Sequence, residues 1–339
     1  MQSIKFSWPH GESISIYTCR VYITLLLATL LSVPGMAGPP KPKVKPLKTK
    51  NIIIVVIDGV RHSETWGTTP GNIPNLSGRL KGRGVYFSNF LNDAFTYTNS
   101  GHAAITTGIN QEIDNYGSQL PAKPSLFQEW LKQTGKPSTA AWIVSSKDKL
   151  YILGNTADSL WQNKYMPSLN CGNDGPGTGY RPDSLTLLAA KKVLETNRPN
   201  LMLINFMEPD GYAHAANWPH YIRGIVRDDR YVQQLYEFLR KNKYYKKNTT
   251  LLITTDHGRH LEGINGGWID HGDNCEGCQK IFLLAIGPDF KKGSEVTTKH
   301  TLVDISATVA KMMGFEFEQS QGQVMRELFS SKKLRDLKL

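Results

Sequence analysis

Long hydrophobic runs are missing from this sequence of 339 residues. Its longest mainly apolar stretch is VYITLLLATLLSV at residues 21–33, whereas a helix that crosses a membrane needs roughly 20 such residues. Hydrophobic residues make up 40% of the chain and charged residues 20%, which are ordinary values for a globular protein. The composition therefore excludes both a protein with many membrane spans and an intrinsically disordered chain.

Signatures of nucleic-acid binding are also missing, although the net charge is +11. The sequence has no basic helix, no aromatic RNA-binding motif and no zinc-finger spacing. The excess of lysine and arginine fits attraction to small anionic substrates or to an anionic envelope surface. We therefore expect no nucleic-acid-binding module.

Cysteine is scarce, with four residues at positions 19, 171, 275 and 278. Cys275 and Cys278 are separated by two residues, and in an exported protein such a pair is most simply a small disulfide. A zinc knuckle is the alternative, but it needs two further ligands and no second CxxC is present. The spacing favours a disulfide between Cys275 and Cys278, with Cys171 unpaired.

The N-terminal region is typical of an exported protein. The run at residues 21–33 has the length of a secretory h-region, about 7 to 15 residues, and small residues follow it at Gly35 and Ala37. Residues 1–37 are predicted to be a signal peptide, with an uncleaved membrane anchor as the alternative. Residues 38–50, with four prolines and five lysines, are predicted to be an extended linker. Residues 51–339 show neither a repeat nor a break and predict a single domain in the periplasm or outside the cell.

That domain shows the alternating pattern of an α/β protein. Short apolar runs typical of buried parallel strands lie at residues 51–58, 139–146, 201–208, 250–256 and 280–287. Helical patterns lie between them at residues 125–135, 183–196, 227–243 and 302–314. We predict a mostly parallel central sheet with helices on both faces.

Polar residues follow several of these strands, where an open parallel sheet binds its ligands. They are Asp58, Asp210, His214, Asp256, His257 and, in a later loop, His271. Taken singly, each has a structural explanation, such as a turn cap or a loop position. Together, three carboxylates and three imidazoles suit two zinc-like ions that each keep an open position, an arrangement used for phosphoryl transfer.

The segment TYTNSGHAAITTG at residues 96–108 contains five serine or threonine hydroxyls. A free alcohol is a weak nucleophile at neutral pH and needs a metal or a base to activate it. Composition alone does not select one of the five.

With IIIVVIDGV, FMEPDGYAH, LLITTDHG and WIDHG, this segment resembles the alkaline phosphatase superfamily, especially its nucleotide pyrophosphatase/phosphodiesterase (type I phosphodiesterase) branch. The resemblance implies an alkaline-phosphatase-like fold from residue 51 to about residue 329. It also implies that Thr98 is the nucleophile. Site 1 would then consist of Asp58, Thr98, Asp256 and His257, and site 2 of Asp210, His214 and His271. Either Asn115 or Asn99 would contact a phosphoryl oxygen.

The implied function is that of a phosphoric ester hydrolase with two Zn²⁺ ions, Mn²⁺ being an alternative, acting on a small anionic phosphoester. Membrane contact is expected only through the N-terminal segment. The alternatives are a sulfatase-like enzyme, a phosphonate hydrolase, a transferase or a non-catalytic anion-binding member of the same superfamily. The sequence lacks the Cys/Ser-x-Pro-x-Arg motif of formylglycine sulfatases, which argues against that chemistry.

Overall fold

The computed structural model describes residues 46–337. The predicted signal peptide and residues 38–45 of the linker lie outside this range, as do the last two residues. The described residues belong to one compact unit. Among them, no helix combines the length and the apolar character needed to cross a bilayer.

The described part of the chain contains one sheet whose strands lie in the order β4, β3, β5, β1, β6, β7, β2, β8, with β9 also pairing with β2. The strands are β1 (Asn51–Ile57), β2 (Val85–Leu91), β3 (Ala141–Ser145), β4 (Ser168–Cys171), β5 (Leu201–Phe206), β6 (Thr249–Thr254), β7 (Lys280–Ile286), β8 (Ser294–Val296) and β9 (His300–Thr301).

The centre of the sheet is parallel. In β1, Ile52 pairs with Leu201 of β5 on one side and with Thr250 of β6 on the other, both in parallel register. All seven residues of β1 are buried, because both faces of the sheet are covered. The predicted α/β fold with a mostly parallel sheet is thus confirmed.

One predicted parallel strand runs the other way. β7 pairs antiparallel with both β6 and β2, so the parallel orientation predicted for residues 280–287 is wrong. A parallel return needs a long crossover, usually a helix of several turns. The connection from β6 to β7 contains only a three-residue and a four-residue helix and turns the chain back instead.

Three helices, α2, α3 and α7, agree with the predicted positions, whereas α5 begins nine residues early and α1 was not among the predicted helical segments. The helices are α1 (Thr98–Thr107), α2 (Leu126–Thr134), α3 (Asp183–Thr196), α4 (Glu208–His214), α5 (Trp218–Lys241), α6 (Glu276–Gln279), α7 (Val303–Met313) and α8 (Ser331–Leu337). The early start of α5 follows from its first turn, where the side chain of Asn217 accepts a hydrogen bond from the His220 backbone N–H.

Short 3₁₀-helices and one π-helix complete the described secondary structure. They are His62–Glu64, Pro70–Asn72, Asn75–Leu80 (a π-helix), Lys81–Arg83, Ser138–Ala140, Asp148–Gly154, Gly267–Ile269 and Arg326–Leu328.

Two hydrophobic layers hold the sheet in place. Ile52, Ile54 and Val56 of β1 pack in the layer that contains residues of α1, α2 and α7. Ile53 and Val55 pack in the opposite layer, which contains residues of α3 and α5. Because alternate residues of a strand point to opposite faces, this packing fixes both the register of β1 and the position of the polar residues at its carboxyl end.

Candidate active site

The first ligand group lies at the carboxyl ends of two neighbouring strands. Asp58 follows β1, and Asp256 and His257 follow β6. His257 Nε2 lies 3.7 Å from Asp58 Oδ1 and 3.5 Å from Asp256 Oδ2, and all three side chains are fully buried. Parallel pairing of β1 and β6 thus brings together three residues of site 1 that are about 200 positions apart in the sequence.

Thr98 is the first residue of α1, and its hydroxyl faces this group. Thr98 Oγ1 lies 3.4 Å from His257 Nε2 and 3.5 Å from Asp58 Oδ1. The N-terminus of a helix presents unpaired N–H groups and a partial positive charge, which favour an anion beside it. The structure therefore brings all four predicted residues of site 1 together at a position suited to a phosphoryl group.

The second ligand group lies beside the first. Asp210 and His214 are one turn apart on α4, and His271 comes from the loop between β6 and β7. Asp210 Oδ1 lies 3.3 Å from His214 Nε2 and 3.6 Å from His271 Nε2, and the two Nε2 atoms are 3.1 Å apart. The side chain of His214 is 43% exposed, so this group opens to solvent. The three predicted residues of site 2 are thus also adjacent.

Hydrogen bonds fix the ring orientation of two ligand histidines. Nδ1 of His257 donates to the carbonyl of Gly258 at 2.9 Å, and Nδ1 of His271 donates to the carbonyl of Thr96 at 2.7 Å. A carbonyl only accepts, so Nδ1 carries the proton and the lone pair of Nε2 faces the site. Burial, followed by the neighbouring His257, lowers the pKa of His271 well below its usual value and keeps the ring neutral.

The donor set fits two divalent cations. Burial opposes ionisation of Asp256, but His257 and His102 outweigh it and hold the pKa of that carboxyl far below its usual range. Imidazole nitrogens and carboxylate oxygens thus lie 3.1 to 3.7 Å from one another in the two groups, and such a set of donor atoms favours cations. Imidazole and carboxylate ligands in groups of three suit Zn²⁺ with an open coordination position.

The side chain of Lys147 lies between the two ligand groups, a position that was not predicted from the sequence. Its Nζ donates to Asp210 Oδ2 at 2.6 Å, to Asp58 Oδ1 at 2.9 Å and to Thr98 Oγ1 at 3.1 Å. Burial would lower the pKa of Lys147, but Asp210 and Asp58 outweigh it and raise the pKa above its ordinary value. The two carboxylates therefore favour the charged form of Lys147. The sequence feature that could have identified Lys147 is its position immediately after the predicted strand at residues 139–146.

Arg259 is a second cation that the sequence did not indicate, although it directly follows Asp256, His257 and Gly258. Its Nη1 donates to Asp210 Oδ1 at 2.6 Å. Burial opposes ionisation of Asp210, but Lys147 and then Arg259 outweigh it and hold its pKa well below its usual range. Gly59 leaves room for this contact, because a Cβ there would lie 2.7 Å from both Arg259 Nη1 and Asp210 Oδ1.

The structure separates the two candidate asparagines. The side chain of Asn99 donates through Nδ2 to the carbonyl of Asp114 at 2.7 Å, so its amide nitrogen is already bound to the protein. Asn115 Oδ1 accepts from the Asn99 backbone N–H at 3.2 Å and from Lys149 Nζ at 2.9 Å. The Nδ2 of Asn115 has no hydrogen-bond partner among the described residues and is available to donate to a substrate.

His102 supports the site without facing its open side. Its Nδ1 lies 2.9 Å from the carbonyl of Thr98 and 3.2 Å from Asp256 Oδ2. Its Nε2 lies 3.2 Å from Nδ2 of Asn205, whose amide also donates to Asp58 at 2.9 Å. His102 therefore ties the start of α1 to the carboxylates of site 1.

The expected disulfide is not formed in this structure. Cys275 and Cys278 are free thiols, and Cys171 is a buried free thiol as well. Four possible ligand atoms lie within 4.8 Å of one another here, namely the sulfurs of Cys275 and Cys278, a ring nitrogen of His260 and a carboxylate oxygen of Asp273.

Comparison with known proteins agrees with the fold. A phosphopentomutase of Herpetosiphon aurantiacus is 24% identical over 181 residues, which are 53% of this chain and 40% of that protein. The alkaline phosphatase PafA superposes with a TM-score of 0.65 at 13% identity, covering 84% of this chain and 100% of PafA. The PsFucS1 sulfatase of Pseudoalteromonas sp. superposes with a TM-score of 0.60 at 13% identity, covering 84% and 73%.

A family model also matches most of this chain. The Sulfatase family profile matches residues 50–315, from the start of β1 to just beyond α7, and so includes every residue of sites 1 and 2. Because this match covers most of the chain, the protein belongs to the Sulfatase family, and its fold is like that of the alkaline phosphatase PafA.

Proposed function

We propose that this protein hydrolyses phosphoric esters, with Thr98 as the nucleophile and Zn²⁺ in sites 1 and 2. The observation that carries the proposal is the position of Thr98 Oγ1, within 3.5 Å of Asp58, His257 and Lys147 at the start of a helix. A complete ligand set argues against a non-catalytic, anion-binding member. The proposed reaction is attack of the Thr98 oxygen on phosphorus with departure of the ester's alcohol, followed by attack of water on the phosphothreonine, which releases phosphate and restores the Thr98 hydroxyl.

Each group in the site has a distinct role in this proposal. Zn²⁺ in site 1 would lower the pKa of the Thr98 hydroxyl, and Zn²⁺ in site 2 would stabilise the leaving oxygen. Lys147 is not assigned the role of a base toward Thr98, because Asp210 and Asp58 raise its pKa and favour its charged form. Its ammonium instead orients Thr98 Oγ1 and offsets negative charge as phosphorus is attacked. Nδ2 of Asn115 donates to a non-bridging phosphoryl oxygen.

The identity of residue 98 favours phosphate over sulfate esters. Formylglycine sulfatases use an aldehyde made from a cysteine or serine, each of which has a CH₂ group at Cβ. Thr98 carries a methyl group on Cβ, so oxidation of its alcohol would give a ketone and not an aldehyde. The family match alone therefore does not assign sulfate ester hydrolysis to this chain.

The charge around the nucleophile favours monoesters over diesters, although the motifs resemble the type I phosphodiesterase branch. Lys147 and Lys149 place two ammonium groups near Thr98 and Asn115. A phosphomonoester carries two negative charges at pH 8, whereas a diester carries one. Because Coulomb attraction scales with the product of the charges, we propose that monoesters are the better substrates.

A substrate panel tests the proposal. We expect turnover of p-nitrophenyl phosphate, slower turnover of bis(p-nitrophenyl) phosphate, and still slower turnover of p-nitrophenyl sulfate. The activity should disappear with a chelator and return when Zn²⁺ is added back. Release of p-nitrophenolate measures all three rates. Preferred cleavage of the sulfate would reject the phosphoric ester assignment, and unchanged rates in the chelator would reject the metal requirement.

The ammonium of Lys149 predicts a pH dependence. Burial, followed by the neighbouring Lys147, lowers the pKa of Lys149 to about 8. Below that pH Lys149 is charged and attracts the substrate, and above it the charge is lost, so kcat/KM should fall as pH rises through 8. In Lys149→Arg, whose guanidinium stays charged, that fall should be absent. We would compare kcat/KM for the two proteins between pH 6 and pH 10, and an identical decline in both would reject this role.

A further inference from the structure

A third cluster of metal-type ligands lies beside the active site and contributes nothing to sites 1 and 2. It consists of His260, Asp273, Cys275 and Cys278, each of which offers one ligand atom, and these four atoms all lie within 4.8 Å of one another. A tetrahedral zinc ion with Zn–S about 2.3 Å and Zn–N about 2.0 Å holds its ligands somewhat closer together, about 3.3 to 3.8 Å apart. A small contraction would therefore close the cluster around one ion.

The ring of His260 is oriented to bind a metal ion. Its Nδ1 donates to the carbonyl of Asn265 at 2.9 Å, which leaves the lone pair on Nε2. The residue is 3% exposed, and this buried Nε2 has no hydrogen-bond partner among the described residues. It lies 3.0 Å from Asp273 Oδ1, which is itself an acceptor. Two acceptors at this distance indicate either a proton on Nε2 or a metal ion between them.

The rest of the cluster completes the case for a metal. The side chain of Asn265 also donates through Nδ2 to Asp273 Oδ2 at 2.6 Å. One residue thus orients both His260 and Asp273, as the hydrogen-bond partners of metal ligands commonly do. Cys278 is fully buried, and its Sγ lies 3.6 Å from Asp273 Oδ1. A proton on Nε2 would explain the contact between His260 and Asp273, and the thiol proton of Cys278 would explain its contact with Asp273. Neither explains why the free thiol of Cys275 also lies within 4.8 Å of the other three ligand atoms.

We propose that His260, Asp273, Cys275 and Cys278 bind one structural Zn²⁺ ion. The ion displaces the two thiol protons, and two thiolates, one carboxylate and one neutral imidazole then fill a tetrahedral site. With all four positions taken by protein, the site is closed to substrate. Thiolate ligands distinguish it from sites 1 and 2, whose donors are only nitrogen and oxygen.

The location of the cluster indicates what the ion does. His260 is three residues after His257, and Asp273 is two residues after His271. The backbone N–H of Gly258 donates to the carbonyl of Cys278 at 2.7 Å, which closes the same segment at its base. An ion at this point links the two ends of the loop that carries Arg259 and His271, and so holds both residues in the active site.

Cobalt substitution of the full chain tests the proposal. Co²⁺ bound to thiolate gives a charge-transfer band in the near ultraviolet, which the nitrogen and oxygen ligands of sites 1 and 2 do not produce. We expect this band in the reduced wild-type protein, its loss on addition of Zn²⁺, and its absence from Cys275→Ser/Cys278→Ser. That double variant should also bind one fewer zinc per chain. Cys171→Ser is the matched control and should keep both the band and the metal count.

Two outcomes would overturn the proposal. One is a reduced wild-type protein that shows no thiolate band with Co²⁺. The other is a Cys275–Cys278 disulfide found by peptide mapping of protein purified without reductant. The wild-type spectrum does not depend on folding of the double variant. It is also independent of the proposed hydrolysis, because an inactive protein would still show the band.

Discussion

Replacing Thr98 by alanine should lower kcat/KM for p-nitrophenyl phosphate on the order of 10³-fold or more, the scale seen when a covalent nucleophile is removed. Thr98→Ala deletes the only hydroxyl that lies within 3.5 Å of both Asp58 and His257 in the described structure. It leaves the carboxylates and imidazoles of both sites unchanged. Initial rates with saturating Zn²⁺ measure the loss of activity. Metal analysis should show that the ions of sites 1 and 2 are retained.

Two variants separate loss of the nucleophile from damage to the helix. Thr98→Ser keeps a hydroxyl at the same position and should retain most of the activity. Thr106→Ala removes another buried hydroxyl of α1, which donates only to the backbone carbonyls of His102 and Ala103, and should stay within a few-fold of wild type. Equal loss in Thr106→Ala would assign the effect to folding, and an active Thr98→Ala would exclude Thr98 as nucleophile.

The ligand positions could be predicted from the sequence because they depend on short-range rules. A buried strand such as β1 has a recognisable apolar pattern, and the residue that follows it lies at the edge of the sheet. Asp58 and Asp256 are placed by this rule alone, since β1 and β6 pair in parallel. The rule does not place Thr98, which begins α1, or His271, which lies in the loop between β6 and β7, and the role of Thr98 was assigned from the resemblance.

Lys147 could not be predicted in the same way, because its role depends on the order of the strands. β3 lies next to β5, and β5 lies next to β1, so the residue that follows β3 reaches Asp58 and Asp210. The sequence pattern does not contain that order. The choice between Asn99 and Asn115 likewise depends on hydrogen bonds, since both are ordinary polar residues until the contact of Asn99 with Asp114 is known.

The sequence pattern also could not predict that His260 and Asp273 lie beside Cys275 and Cys278. His260 and Asp273 complete the set with Cys275 and Cys278, but their spacing matches no regular metal motif. They converge because the loop between β6 and β7 turns back on itself, with the His260 backbone N–H donating to the carbonyl of Asp270 at 3.2 Å. The same antiparallel turn accounts for the wrong orientation predicted for β7.

Replacing Lys147 by methionine should destabilise the metal-free protein by about 3 to 5 kcal/mol, the usual cost of breaking a buried ion pair. Lys147→Met keeps the apolar stem but removes the ammonium that donates to Asp58 and Asp210, and both carboxylates are buried. Urea unfolding in a chelator measures this change in the free energy of unfolding. Lys149→Met is the matched control, since Lys149 bonds to Asn115 and not to a carboxylate, and its effect should be much smaller.

In the zinc-loaded protein the same substitution should cost far less, because the ions supply positive charge to the carboxylates that Lys147 otherwise neutralises. The two costs belong to one thermodynamic cycle, so their difference equals the gain in zinc-binding free energy of Lys147→Met. Each 1.4 kcal/mol of difference corresponds to about tenfold tighter zinc binding. A zinc ion at the cysteine cluster contributes equally to wild type and variant and cancels. An equal cost with and without zinc would show that no ion binds at Asp58 and Asp210, and the metal assignment of sites 1 and 2 would fail with it.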